Sequence, residues 1–214
     1  MKLGLSLFFI SLSFSKYYFC DMMKSFAIFL LRLSGWKVDL NIPKEADRCV
    51  MIAAPHTSNW DGYYVRVAFW VLNIPVKIAV KNYWTKGFLG WLTKPMGFLG
   101  IDRSKKDPNK PRKSQTEQMA DFFKEYDRIA MVIAPEGTRK LRKEWKLGFY
   151  YTAKMANVPI TCGYLDYKNK IAGVGDVVVY PSDDMEADLK KIMDFYKNIQ
   201  GKYPEKFVVD HRFV

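Results

Sequence analysis

The sequence has little histidine and little cysteine, and this scarcity narrows the kinds of site that it can form. Its 214 residues include two histidines, His56 and His211, and three cysteines. Cys20, Cys49 and Cys162 stand at no metal-ligand spacing, so we expect no metal site. Their odd number and apolar surroundings indicate reduced thiols in a reducing compartment, with a disulfide between two of them as the alternative.

An apolar run long enough to cross a bilayer is also absent. The longest uncharged stretch, LGLSLFFISLSFS at residues 3–15, is shorter than the about 20 residues that a transmembrane helix needs. Three interpretations of this stretch stay open: the core of a signal peptide, an upstream extension that ends before Met22 or Met23, and a helix that lies on the membrane.

A second apolar stretch, SFAIFLLRLSGW at residues 25–36, follows the first. Phe26, Phe29 and Leu33 recur on it at helical spacing, which is typical of a helix with one apolar face. We therefore assign residues 1–36 to an apolar N-terminal segment, with 1–21 as the candidate extension. Residues 37–214 form a single domain in this interpretation.

Positive charge and aromatic side chains are what the sequence has in excess. It contains 34 lysines and arginines against 22 acidic residues, a net charge of +12, together with 15 Phe, 13 Tyr and 6 Trp. Such a composition favours an anionic partner, which is nucleic acid, an anionic lipid surface or a phosphorylated substrate. Composition alone does not choose among the three.

Apolar runs of two kinds alternate along the chain, and this alternation predicts the fold class. Short continuous apolar runs are typical of buried parallel strands, and longer runs with a 3.6-residue period are typical of helices. We predict an α/β fold with a central mixed, mostly parallel sheet that helices cover on both faces. Predicted strands lie at 49–54, 76–81, 97–101, 128–134, 159–167 and 176–180. Predicted helices lie at 25–36, 59–72, 83–96, 115–126, 146–156 and 184–203.

The segment AAPHTSNWDG at residues 53–62 places a histidine and a carboxylate at the junction of a predicted strand and helix. Five residues on one straight helix turn about 500°, so His56 and Asp61 meet only if the helix begins between them. Thr57, Ser58 and Asn59 are good N-cap residues and supply that start. The carboxylate then holds one ring nitrogen, and the other is free to accept a proton. A surface histidine beside a capping aspartate is the alternative.

No Gly-x-Ser-x-Gly elbow surrounds Ser58, which argues against a serine nucleophile. A second polar turn follows another buried strand in APEGTRK, residues 134–140. Gly137 allows the backbone to approach a ligand, and Thr138 and Arg139 offer a hydroxyl and a guanidinium that suit a phosphate. Glu136 stands three residues before Arg139, where we expect it to orient the guanidinium. Taken alone, this segment also fits an ordinary charged turn.

A third predicted strand, in GFLGIDRS at residues 97–104, ends on Asp102 and Arg103. The basic run that continues to residue 114 is typical of a solvated loop, but Arg103 stands directly at the strand end. Since ligands of open α/β sheets bind at the carboxyl ends of strands, we expect these polar groups to converge there. One base and two arginines at such an edge indicate a transferase that acts on a phosphorylated alcohol.

Together these segments resemble the glycerolipid acyltransferases, typified by the lysophosphatidic acid acyltransferases. HTSNWD at 56–61 is similar to the family's His-x4-Asp motif, and APEGTR at 134–139 to its Pro-Glu-Gly-Thr-Arg block. GFLGIDR at 97–103 and VPI at 158–160 resemble the other two blocks. Ala134 stands where many members carry Phe, and Lys140 where a small polar residue is common.

The resemblance implies that an acyl group passes from a thioester, acyl-CoA or acyl-carrier protein, to the hydroxyl of a lysophospholipid, with 1-acyl-glycerol-3-phosphate as the first candidate. It implies His56 as general base and Asp61 as its orienting partner, without metal or cofactor. It further implies that the acceptor's head is bound by Arg103, Glu136, Gly137, Thr138 and Arg139. We also expect backbone N–H groups at the helix start after His56 to stabilise the oxyanion.

Because such substrates reside in bilayers, the resemblance also implies a membrane surface as a partner, at its cytoplasmic face, with peripheral or monotopic attachment. A lyso-aminolipid or another lysolipid remains the alternative acceptor. The rivals are a non-enzymatic module that binds anionic lipid and a nucleic-acid-binding protein, the latter indicated by charge alone. Neither explains His56 and Asp61 beside a phosphate-like turn, so we expect no nucleic-acid partner.

Overall fold

The computed structural model describes residues 24–103 and 113–214. Its strands are β1 Lys37–Val38, β2 Arg48–Ala53, β3 Val76–Lys81, β4 Phe98–Ile101, β5 Ile129–Ile133, β6 Ile160–Asp166 and β7 Ile171–Val179. Its helices are α1 at 24–33, α2 Trp60–Val71, α3 Gly87–Thr93, α4 Gln115–Glu125, α5 Gly148–Ala156 and α6 Met185–Tyr196. The strands form one sheet in the order β1-β7-β6-β2-β5-β3-β4.

The sheet is mixed but mostly parallel, since β6 and β7 are its antiparallel neighbours and the other described pairs are parallel. The central strand β2 is buried on both faces. Val50 and Ile52 pack in a core with α4, α5 and α6, whereas Cys49 and Met51 pack in a second core with α1 and α2. Helices therefore cover both faces, and the predicted fold class is confirmed.

The direction of the strands determines where a ligand can meet several of them. Because β2, β3, β4, β5 and β6 run parallel to one another, their carboxyl ends lie at one edge of the sheet. The connections β2–α2–β3 and β3–α3–β4 advance the same way across the sheet, so right-handed crossovers place α2 and α3 on the same face.

The first described helix, α1, lies on the α2 face of the sheet. Ala27 and Leu31 are buried in the core there, while Phe26, Phe29 and Leu33 are exposed, which is the one-sided pattern that their spacing predicts. The division of the chain at residue 36 stays a prediction, and the 3–15 stretch lies outside the described residues. Among the described helices, none combines the length and the apolar character needed to span a membrane.

Three predicted elements differ from the structure for local reasons. The helix predicted over 83–96 is a 3₁₀ turn, Asn82–Thr85, followed by α3, because Gly87 has a left-handed backbone with φ of +55°. The strand predicted over 176–180 is longer at its amino-terminal end, where Gly175 leaves room for the ring of Phe195. Gly175 also interrupts the apolar pattern from which a strand is predicted.

The helix predicted over 184–203 ends at Tyr196 because the following segment packs against the turn after β2. Gly201 lies against Pro55 and Thr57, and the backbone N–H of Tyr203 donates a hydrogen bond to Thr57 Oγ1 at 3.2 Å. These long-range contacts replace further helical turns. The short strand β1 is not predicted from the sequence, and most of the predicted basic loop, at 104–112, lies outside the described residues.

Cys49 and Cys162 are both free and buried in the sheet. Burial raises the pKa of each thiol to about 12, so neither is a reactive thiolate near neutral pH. Cys20 lies outside the described residues.

Candidate active site

The turn between β2 and α2 brings His56 and Asp61 together. His56 lies outside the helix, and Asp61 is the second residue of α2, as their spacing predicts. The ring Nδ1 of His56 lies 3.2 Å from Asp61 Oδ2. The N-cap is Asn59, and its side chain makes no capping hydrogen bond.

Asp61 is held by several donors at once. Its Oδ2 accepts hydrogen bonds from the backbone N–H groups of Thr57 and Ser58, each at 2.8 Å, and its Oδ1 accepts one from the hydroxyl of Tyr167 at 2.7 Å. Burial by itself would raise the pKa of Asp61, but the hydrogen bonds from His56, Tyr167 and Ser58 outweigh it and hold the pKa below its ordinary value. Asp61 is therefore an ionised carboxylate whose position is fixed.

His56 is fixed through its backbone as well as its ring. Its N–H donates to Glu136 Oε1 at 2.9 Å, which ties the turn after β2 to the turn after β5. Its side chain is 31% exposed, and its Nε2 forms no hydrogen bond with any described residue. One ring nitrogen is thus occupied by Asp61 and the other is open, which is the arrangement that a general base requires.

The expected oxyanion donors are already occupied. The N–H groups of Thr57 and Ser58 donate to Asp61, and that of Trp60 donates to Ser58 Oγ at 3.2 Å. The expectation that this helix start stabilises an oxyanion is wrong for these three groups, because the carboxylate and a hydroxyl already satisfy them.

Glu136 lies beneath His56 and lines neither of the two cavities described below. It is 4% exposed, and its Oε2 has no hydrogen-bond partner among the described residues. Burial raises its pKa above the ordinary value, against the opposing effect of the hydrogen bond from the His56 N–H. The expectation that it orients Arg139 is wrong, since no ion pair joins the two residues in the structure. Its contact with His56 makes it a support of the turn after β2.

A cleft of about 650 Å³ opens beside His56, and we call it the basic cleft. The polar residues that line it are His56, Arg103, Gln115, Thr116, Thr138, Arg139 and Lys146. Three of its cationic side chains, Arg103, Arg139 and Lys146, belong to exposed residues, and none forms an ion pair with a described carboxylate. Gly137 has φ of +63°, and a Cβ there would lie 3.0 Å from Lys146 Nζ. This glycine therefore lets the lysine approach the turn after β5.

Arg103 reaches the basic cleft from the edge of the sheet. Its strand, β4, is separated from β5 by β3, so the three polar strand ends are not consecutive in the sheet. The guanidinium NH2 of Arg103 donates to the carbonyl oxygen of Ala79 in β3 at 3.1 Å. This hydrogen bond anchors the side chain across the neighbouring strand.

An apolar cavity of about 190 Å³ also borders His56 and shares Ile78, Val132 and Ala134 with the lining of the basic cleft. It is lined by Ala53, Val65, Ile78, Val132, Leu165 and other small or aliphatic side chains, together with His56 and Asp61. His56 therefore borders both an apolar cavity and a cationic cleft. Among the described residues, no group of three potential metal ligands comes together at this site or elsewhere.

Two residues of the site, Tyr167 and Lys146, are not among those predicted from the sequence. Tyr167 follows β6, and the rule that polar residues at strand ends meet would have identified it, because 159–167 is a predicted strand. Lys146 stands seven residues after Arg139, at the end of an irregular segment rather than a strand. Nothing in the local sequence predicts that its side chain lies against Gly137.

Comparison with known proteins places this arrangement in a family. The family model described as Acyltransferase matches residues 38–165. Among solved structures, the chain is similar to the 1-acyl-sn-glycerophosphate (LPA) acyltransferase PlsC from Thermotoga maritima, with a TM-score of 0.55 and 16% identity. That likeness covers 84% of this chain and 78% of the other. No curated protein sequence matches significantly.

Proposed function

The chain belongs to the acyltransferase family, and from that premise we propose that it transfers a fatty acyl group from an acyl thioester to the hydroxyl of 1-acyl-glycerol-3-phosphate. The observation that carries the proposal is the position of His56. Asp61 occupies its Nδ1 at 3.2 Å, and the same ring borders both the apolar cavity and the basic cleft. A base in that position is in reach of both a site for an acyl chain and a site for an anionic head.

The proposed reaction uses His56 as a general base and then as a general acid. Nε2 accepts the proton of the acceptor hydroxyl while the hydroxyl oxygen attacks the thioester carbonyl. Asp61 stabilises the imidazolium that forms and keeps Nδ1 protonated. The tetrahedral intermediate collapses with cleavage of the carbon–sulfur bond, and the thiolate takes the proton from Nε2. The products are an ester and a free thiol.

The basic cleft favours a phosphorylated acceptor over a neutral one. Arg139 and Lys146 have no carboxylate partner among the described residues, so a phosphate group would neutralise charge that the protein leaves uncompensated. Arg103 and the Thr138 hydroxyl supply further donors around the same cleft. The proposal therefore keeps Arg103, Thr138 and Arg139 as head-group ligands, with Gly137 shaping the turn, and adds Lys146.

The donor is an acyl-CoA or an acyl-carrier protein, whose thioester supplies the leaving group without a metal or cofactor. We place the first part of its acyl chain in the apolar cavity beside His56, because burial of methylene groups there is favourable. We further propose that the protein works at the cytoplasmic face of a membrane, attached without crossing it, since the lysophospholipid acceptor and the diacyl product reside in the bilayer. Nucleic acid has no part in this proposal.

A thiol-release assay tests the proposal. Purified protein is mixed with a long-chain acyl-CoA, with or without 1-acyl-glycerol-3-phosphate, and free thiol and the diacyl product are quantified together. We expect thiol and diacyl product to appear in equal amounts and only when the acceptor is present. The same assay is run with an acyl-carrier protein as the donor. Thiol release that is independent of the acceptor, or no release from either donor with any lysophospholipid, would overturn the proposed function.

A further inference from the structure

The segment between β3 and β4 exposes a cluster of large apolar side chains. Six of them lie within fifteen residues: Tyr83, Trp84, Phe88, Trp91, Leu92 and Met96. Phe88, Trp91 and Tyr83 are 78%, 74% and 73% exposed, and the rings of Phe88 and Trp91 stack on one another with centroids 6.0 Å apart. Single exposed apolar residues are ordinary on a protein surface, but a contiguous group of this size marks a contact surface.

These side chains belong to a firmly held part of the structure. We call residues 82–96 the aromatic platform. Thr85 is buried, and a Cβ on Gly90 would stand 2.3 Å from the carbonyl oxygen of Thr85, so the 3₁₀ turn and α3 touch backbone to backbone. The Thr93 hydroxyl donates to the carbonyl oxygens of Trp84 at 2.6 Å and Leu89 at 2.8 Å. Hydrogen bonds and backbone packing thus join the 3₁₀ turn to α3, while the aromatic rings are exposed.

The charge around the aromatic platform identifies the partner. Residues 76–101 contain no aspartate or glutamate, and Lys81, Lys86 and Lys94 are exposed among the aromatic side chains. Tryptophan and tyrosine rings with interspersed lysines suit the boundary between lipid head groups and acyl chains, where rings enter the apolar layer and ammonium groups meet anionic heads. A protein partner of matching shape would leave the lysines without anions unless it were itself acidic.

A groove joins the aromatic platform to the candidate active site. It has a volume of about 470 Å³ and is lined by Ala79, Lys81, Trp84, Phe98 and Arg103, among others. Arg103 lines this groove and also the basic cleft that contains His56. A lipid head that enters beside Trp84 therefore meets Arg103 before it reaches the base.

We propose that the aromatic platform docks on an anionic lipid surface and delivers the acceptor's head group along the groove to Arg103. The docking does not depend on the enzymatic activity, whereas the delivery to Arg103 rests on the proposed function.

Vesicle binding tests the docking with matched variants of the full chain. Trp91→Ser removes a ring of the platform, and Tyr180→Ser removes an exposed ring beyond β7, at the opposite edge of the sheet from the strand ends of the site. Vesicles contain phosphatidylcholine with or without phosphatidylglycerol, and binding is measured by co-sedimentation. We expect Trp91→Ser to weaken partitioning about tenfold, and Tyr180→Ser to leave it within about twofold of the unsubstituted protein. Equal binding by both variants would overturn the docking.

Quenching of tryptophan fluorescence by brominated phospholipid gives a direct readout. We expect strong quenching in the unsubstituted protein and a clear reduction in the Trp84→Phe, Trp91→Phe double variant. Absence of that difference would overturn the docking, because another segment of the chain or a second copy then covers the rings. A change in oligomeric state of Trp91→Ser without loss of vesicle binding would overturn it likewise.

Kinetics separate the delivery from the docking. Trp91→Ser should be slower with lysophosphatidate embedded in vesicles but unchanged with a short-chain lysophosphatidate that is monomeric in water. Equal loss with both acceptors would overturn delivery along the groove. If neither acceptor is used while the vesicle effect persists, the proposed function fails and the docking stands.

Discussion

The turn after β2 and the turn after β5 meet at one site, yet they are built in opposite ways. In the turn after β2, Asp61 accepts hydrogen bonds from two backbone N–H groups and from Tyr167, and it contacts Nδ1 of His56. Among the side-chain polar atoms of His56 and Asp61, only Nε2 of His56 has no partner in the described residues. In the second, Arg139 extends into a cleft without a carboxylate partner among the described residues. The first turn is organised before any substrate arrives, whereas the second becomes electrostatically balanced only when an anion binds.

The two buried carboxylates of these turns show the same contrast. Asp61 and Glu136 are each 4% exposed, but hydrogen bonds hold the pKa of Asp61 below its ordinary value, while burial raises that of Glu136. At the same surface exposure the two pKa values thus shift in opposite directions, because burial outweighs the hydrogen bonds at Glu136, whereas the hydrogen bonds outweigh burial at Asp61. The contrast separates a carboxylate that must carry charge from one that serves as a hydrogen-bond acceptor for the His56 backbone.

Removal of the base should have the largest effect. His56→Ala should lower kcat by roughly 10²–10⁴-fold, the usual contribution of a general base, without loss of folded structure or vesicle binding. The measurement is steady-state thiol release, with circular dichroism to verify folding. His211→Ala is the matched control, since that ring is exposed and its Nδ1 lies 3.0 Å from the carbonyl oxygen of Lys143, away from the site. A folded His56→Ala protein with near-normal turnover would remove the base from the mechanism.

Removal of the Arg139 guanidinium from the turn after β5 should have an intermediate effect on activity. We expect the effect on the kinetics of the acceptor and not on those of the donor. Arg139→Ala should lower kcat/KM for lysophosphatidate by roughly 10- to 100-fold, the value of a hydrogen bond to a charged group, and leave the KM for acyl-CoA nearly unchanged. Arg142→Ala, an exposed arginine outside the cleft, is the control. A defect seen chiefly in the KM for acyl-CoA would assign Arg139 to the donor instead.

Removal of one hydrogen bond from the turn after β2 should have a smaller effect on activity. Tyr167→Phe deletes one donor to Asp61 and should lower kcat roughly threefold to tenfold with little change in the KM for the acceptor. Because the carboxylate is then less stabilised, the acid limb of the kcat profile should also move to higher pH. Tyr150→Phe is the control, since its hydroxyl contacts Asp188 and Ser182 away from the site. Unchanged kcat and an unchanged acid limb would show that Tyr167 does not act through Asp61.

The smallest effect concerns stability, and its sign differs between the two carboxylates. The lowered pKa of Asp61 stabilises the fold at pH values above the ordinary pKa of 3.8. This contribution is lost as the pH falls through the lower folded-state pKa. The raised pKa of Glu136 has the opposite effect on stability. It stabilises the fold at pH values below the ordinary pKa of 4.5, and this contribution is lost as the pH rises through the folded-state pKa.

Urea unfolding of Asp61→Asn and Glu136→Gln from about pH 3 to about pH 8 measures both contributions. Relative to the unsubstituted protein, the free energy of unfolding of Asp61→Asn should increase as the pH falls. That of Glu136→Gln should increase as the pH rises. Parallel pH dependences of the two variants would contradict the opposite directions of the two pKa shifts.

The sequence predicts the turn after β2 better than the turn after β5, for a physical reason. His56 and Asp61 are five residues apart, so a strand end and a helix start suffice to bring them together. The partners of Glu136 and Lys146 depend on how separate turns fold back on each other: Glu136 bonds to His56, eighty residues earlier, rather than to nearby Arg139. Local spacing contains no information about such contacts.

The same distinction applies to the fold. The alternation of strands and helices predicts the class, the number of central strands and most element bounds, because burial on both faces leaves continuous apolar runs. The end of α6 at Tyr196 depends on the packing of Gly201 against Pro55, and β1 depends on its pairing with β7. Both are tertiary effects that override local preference.

The most direct test of the central account, in which one turn supplies the base and the other the phosphate site, compares two acceptors across three proteins. The kcat/KM is measured for 1-acyl-glycerol-3-phosphate and for the 1-acylglycerol that lacks the phosphate, with the unsubstituted protein, Arg139→Ala and His56→Ala. The account predicts that the unsubstituted protein prefers the phosphorylated acceptor, that Arg139→Ala loses most of this preference, and that His56→Ala loses activity with both acceptors. An undiminished preference in Arg139→Ala, or a His56→Ala protein that is defective only with the phosphorylated acceptor, would contradict it.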